Sequence, residues 1–89
     1  MLRLTHNAVA MIQTLKREAQ LPDGGLRIVQ DHDHPGLTMQ LASSPQGGED
    51  VLRAGEVRLF LDPTARHRLQ DETLDARTNE AGSAFFLGA

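Results

Sequence analysis

The chain predicts an α+β domain, mostly β, and three observations carry that prediction. Apolar and polar residues alternate in Leu37-Thr38-Met39-Gln40-Leu41, the period of a strand with one buried face, and Val57-Arg58-Leu59-Phe60-Leu61 reads as the best strand in the chain. Only one long segment, Ala8 to Ala19, repeats its apolar residues at helical spacing. The strand-like runs are neighbours in sequence and do not alternate with helices, which argues against a doubly wound parallel sheet.

Each element has a local cause. Leu2-Arg3-Leu4 opens as a short strand, and Thr5 is a helix N-cap whose hydroxyl can accept from backbone N–H groups one turn on. Ala8, Met11, Ile12, Leu15 and Ala19 then form one helical face. The helix is expected to stop near Gln20, because Pro22 disfavours helical geometry at Leu21 and Asp23-Gly24-Gly25 is turn chemistry. Leu26-Arg27-Ile28-Val29 is a strand with Leu26 and Ile28 inward, followed by Leu37 to Leu41 as the next.

Ser43 to Asp50 reads as an exposed loop, Val51-Leu52 as a brief edge strand, and Ala54-Gly55-Glu56 as a turn. After Val57 to Leu61, Asp62-Pro63 pairs an N-cap with proline at the first helical position, so Thr64 to Leu69 is a short helix. Thr73–Thr78 and Ser83–Leu87 pair as a hairpin across Asn79-Glu80-Ala81-Gly82.

The 89 residues suit a single domain spanning 1–89. A chain of this size buries only about 60–65 % of its unfolded surface, so the core is thin. With no cysteine, no disulfide supplements it. The net charge of −3 lacks the basic excess that neutralises phosphates, so no nucleic-acid partner is expected. No apolar run has the length of a membrane span, and no signal-cleavage pattern opens the chain; a cytoplasmic protein without a membrane partner is the expectation.

Several segments together resemble the HesB-like, A-type iron–sulfur carrier family. They are Leu4-Thr5 with Ala8, Leu21-Pro22 through Gly25-Leu26-Arg27-Ile28, and His34-Pro35-Gly36-Leu37, which sits where that family carries Cys-Ser-Gly-Leu. Val57 to Pro63, Leu69 with Leu74-Asp75, and Gly82-Ser83-Ala84-Phe85-Phe86 continue the match in order, so it covers almost the whole chain. The resemblance implies two small mixed sheets packed as a sandwich or flattened barrel, with one main N-terminal helix and one short helix. It also implies iron–sulfur assembly proteins as partners.

The departures from that pattern fall on the chemistry. The family's ligands are a cysteine before Ser-Gly-Leu and a Cys-Gly-Cys near the C-terminus. Here His34 takes the first position, and the chain reaches Ala89 without the second. Thiolates that select iron–sulfur clusters are missing. The expectation is a degenerate member, an accessory or interaction module that kept the scaffold and lost the ligands, with no cofactor.

The rival reading is a divalent metal held by Asp31-His32-Asp33-His34. In an extended chain His32 and His34 project to one face, and two imidazoles can grip Zn²⁺, Ni²⁺ or Fe²⁺ if another group completes the shell. The bland alternative is a polar hairpin loop whose histidines face water. A structural adaptor with no iron role is a third reading. His6 and His67 are expected to be exposed and incidental, and Asp62 to be a cap and no catalytic acid.

Glu49-Asp50 and Asp71-Glu72 read as solvated loop charge. Ser43-Ser44 and Ser83 lack a neighbouring base, and Gly24-Gly25 and Gly47-Gly48 lack the context of a phosphate loop, so no enzyme is expected. Successive Phe85 and Phe86 face opposite sides of one strand, leaving one uncovered in a monomer, a mild argument for a homodimer.

Overall fold

The computed structural model describes residues 1–30, 33 and 36–88. The element order is β1 (Arg3–Leu4), α1 (His6–Glu18), β2 (Gly25–Gln30), β3 (Leu37–Ala42), β4 (Asp50–Ala54), β5 (Val57–Leu61), α2 (Pro63–Arg68), β6 (Thr73–Asn79) and β7 (Gly82–Gly88). The strands form a three-stranded sheet in the order β1-β6-β7 and a four-stranded sheet in the order β3-β2-β5-β4. Each sheet mixes one parallel pair (β1 with β6, β2 with β5) with antiparallel neighbours. The sheets stay separate and do not close into a barrel.

One apolar core joins them. β2 and β5 send Leu26, Ile28, Val57, Leu59 and Leu61 inward, and β6 sends Leu74 and Ala76. The helices add Ala8 and Ile12 from α1 and Ala65 from α2. Met11 and Leu15 are half-buried, whereas Ala19 is exposed because it has already left the helix as its C-cap. α1 ends at Glu18, and Gln20 takes a left-handed φ of 58° that carries the chain into Leu21-Pro22.

Both predicted caps form. The Thr5 hydroxyl accepts from the Ala8 N–H at 3.1 Å, and Asp62 Oδ1 accepts from the Ala65 N–H at 2.7 Å. Asp62 is therefore a structural residue of α2. β4 is longer than the two residues predicted, because Asp50 to Ala54 pair along the whole of β5. The β6–β7 turn is also tighter: Asn79 pairs with Gly82, leaving only Glu80-Ala81 between the strands.

Candidate functional site

β2 and β3 are antiparallel, and their last pair is Gln30 with Leu37, so residues 31–36 link them at one end of the four-stranded sheet. Asp31, His32, His34 and Pro35 lie outside the described residues, and with them the metal reading of His32 and His34. What surrounds the link is clear. The Gln30 side-chain amide donates to the Gly36 carbonyl at 3.1 Å, closing the hairpin mouth. Arg68, at the end of α2, donates from Nη1 to Gln30 Oε1 at 2.5 Å. The basic end of α2, Arg66-His67-Arg68, is thus tied to the strand end from which the tetrad departs.

The structure keeps the other ligand candidates apart. His6 is exposed at the first turn of α1, His67 is exposed on α2, and Asp33 is exposed in the link. Among the described residues no three His, Cys, Asp or Glu side chains come together as a metal-binding group. Neither does the cleft between α1 and the β6–β7 hairpin collect such groups. It is open, about 730 Å³ in volume, and bordered by Met11, Thr14, Ala76, Thr78 and Ser83.

A second cluster was not read from the sequence. On the outer face of the four-stranded sheet, Phe60 is fully buried with Arg58 Cζ 5.2 Å and Arg27 Cζ 6.0 Å from its ring centroid. Arg27 donates from Nε and Nη2 to both carboxylate oxygens of Glu49, at 2.7 and 3.1 Å, and from Nη2 to the Ser44 carbonyl. Arg58 donates to the Asp23 carbonyl.

Glu49 also accepts from the Gln46 N–H at 2.7 Å. The hydrogen bond from Arg27 is the main cause that lowers the Glu49 pKa; burial opposes it, and the Gln46 N–H and the Arg27 charge add to the lowering. Glu49 is therefore no solvated loop charge. Asp50 matches that description better, since its ion pair with Arg66 leaves the side chains 48 % and 63 % exposed. The strand period was the available signal: it sets Phe60 and Arg27 opposite Leu59, Leu61, Leu26 and Ile28. It does not reveal that a loop fastens onto Arg27.

No family model and no curated protein matches the sequence. Solved structures do match the fold. A protein from Aquifex aeolicus, determined by NMR in solution, superposes with a TM-score of 0.80 at 20 % identity over 99 % of this chain and 90 % of that one. Escherichia coli SufA, described as involved in the biosynthesis of iron–sulfur clusters, gives 0.79 at 20 % identity over 98 % of this chain and 83 % of its own. The fold is that of SufA. IscA, solved with a [2Fe–2S] cluster, gives 0.72 at 16 % identity over 99 % of this chain and 84 % of its own. The α+β architecture expected from the resemblance is the one observed.

The donor set does not suit a cluster of the kind IscA carries. These 89 residues hold no cysteine, and the described ones assemble no group of three ligand side chains. Among the described residues no helix is long and apolar enough to cross a membrane.

Proposed function

We propose that this chain is a non-enzymatic HesB-like domain that serves iron–sulfur cluster biogenesis as an accessory or interaction module, without ligating a cluster itself. One observation carries the reading: a SufA fold over 98 % of the chain combined with no cysteine. A scaffold that keeps its shape without thiolates retains surfaces for docking but not the soft donors for cargo. The partners are cluster-assembly proteins in the cytoplasm. No catalytic residue is assigned; the Thr5 hydroxyl, which donates to Asp75, is read as the cap of α1.

The test pairs two measurements. The purified protein is incubated anaerobically with ferrous iron and sulfide and followed by visible absorbance, and it is used as bait for purified cluster-assembly proteins. The expected result is no cluster absorption together with retention of an assembly protein. A retained cluster overturns the first half, and failure to hold any assembly protein overturns the second. Micromolar Fe²⁺ or Zn²⁺ binding that disappears in the His32→Ala, His34→Ala double variant would replace this reading with a histidine metal site.

A further inference from the structure

Beside the β4–β5 turn, the four-stranded sheet carries positive charge that packing alone does not call for. β4 and β5 are antiparallel, and their register sets Arg53 directly opposite Arg58 on the outer face. Like charges opposed across a strand pair weaken a sheet. Lys16, on the last turn of α1, joins them: Lys16, Arg53 and Arg58 border one notch of about 330 Å³, with Asp23, Gly55 and Glu56 also on its wall.

Elsewhere on these elements the arginines are matched. Arg27 is held by Glu49, and Arg66 by Asp50. Among the described residues no carboxylate oxygen lies within 4 Å of the charged nitrogens of Lys16, Arg53 or Arg58. Acidic residues outnumber Lys and Arg in the chain by 12 to 9, so a shortage of carboxylates is not the reason. The two carboxylates on the wall are not engaged by these cations. Glu56 Oε2 accepts from the Gln13 amide at 2.8 Å, and the exposed Asp23 offers Arg58 its backbone carbonyl.

Arg58 is held in place before any ligand arrives. Its Cζ lies 5.2 Å from the Phe60 ring centroid, and its guanidinium donates to the Asp23 carbonyl. A guanidinium fixed in this way loses little further freedom when it binds. Complementing the negative end of α1 accounts for Lys16. It does not account for Arg53, which belongs to the sheet and faces a second arginine.

We propose that this notch is a binding site for a phosphate group, free or as the head of a small monoester, held by Arg53 and Arg58 with Lys16 as the third cation. Two guanidinium forks and an ammonium suit an anion that has several oxygens and more than one negative charge. A compact ligand is favoured over an acidic protein segment because Asp23 and Glu56 flank the cations. Successive carboxylates of an extended acidic chain would run into them, whereas a single anionic head meets the cations.

The inference is independent of the iron–sulfur reading. Amide NMR of the full chain, titrated at constant ionic strength with inorganic phosphate and separately with glycerol phosphate, is expected to show saturable shifts centred on Arg53 to Arg58 and on Lys16. Saturation by either ligand supports the site, and the tighter of the two tells free phosphate from a monoester. Arg53→Gln and Lys16→Met, both outside the apolar core, should each weaken binding by about tenfold, the loss of one hydrogen-bonded charge contact.

Stability gives a second readout, with opposite signs in the two conditions. Without phosphate, Arg53→Gln should leave the urea midpoint unchanged or raise it, because the opposition to Arg58 is relieved. With phosphate in excess, the unmodified chain should gain more stability than the variant. Shifts that never saturate, shifts as large at Arg66-His67-Arg68 as at the notch, or binding that both variants leave intact overturn the proposal. A glutamate-rich peptide that moves the same amides where phosphate does not would assign the notch to an acidic protein segment and overturn it equally.

Discussion

Arg27 and Glu49 form a two-point ion pair whose side chains are only 11 % and 6 % exposed, closing the outer face of β2 over Phe60. Arg27 belongs to the sheet and Glu49 to the end of the loop after β3, so the pair fastens that loop to the strand. Replacing Glu49 by Gln removes the charge from the acceptor and leaves a guanidinium with poorer partners. A net cost of about 1–2 kcal/mol is expected, kept modest because water still reaches the loop. Urea unfolding midpoints of the two proteins check it, with an unchanged slope marking a pure stability effect.

Acid should weaken the fold through two named carboxylates. Glu49 is held low chiefly by the hydrogen bond from Arg27. Asp75 is held low first by the hydroxyl of Thr5, which donates at 2.6 Å, and then by the Ala76 N–H at 2.8 Å. A carboxylate with a folded pKa below its unfolded one binds fewer protons when folded. Its stabilisation is complete above the unfolded carboxylate range, about pH 4, and is lost as pH falls through the depressed folded values. The pH profile of the urea midpoint should therefore drop on the acid side, and drop less in the Glu49→Gln, Asp75→Asn double variant.

Gly25 cannot accept a side chain. A Cβ there would stand 2.5 Å from the Arg58 carbonyl oxygen and 3.0 Å from the tip of the Phe60 ring. The strand backbone has to yield, since the ring is fully buried. Gly25→Ala should cost roughly 1–3 kcal/mol. Gly36→Ala, with no atom within 4 Å of the added carbon, serves as the control and should change little. Thermal midpoints of both variants test the contrast.

Thr5 has two duties that one substitution separates. Its hydroxyl accepts from the Ala8 N–H at the start of α1 and donates to Asp75 on β6. Thr5→Ala should cost about 1 kcal/mol from the lost cap. Asp75 should then titrate at higher pH, which NMR of its carboxyl carbon would follow. Thr5→Ser, which keeps the hydroxyl, should restore both readouts.

What was legible in the chain alone was local and periodic. Thr5 and Asp62 identified the helix starts because capping depends on a side chain reaching its own backbone a turn away. Leu26 and Ile28 identified the core face because a strand's period of two needs no knowledge of its neighbours. Turn residues such as Pro22 and Gly82 set boundaries to within a residue or two. The same period sets Arg27 opposite Leu26 and Ile28 and puts Phe85 and Phe86 on two sides of one strand, but it is silent on what covers them. That depends on where separate segments meet. The loop from Ser43 to Glu49 bonds Arg27, whose guanidinium lies beside the buried Phe60 ring, whereas nothing in the described chain folds over β7 and Phe86 stays open. Only the tertiary arrangement could turn two similar outward faces into one sealed surface and one free edge, because burial is a property of the contacts made and not of the residue that makes them.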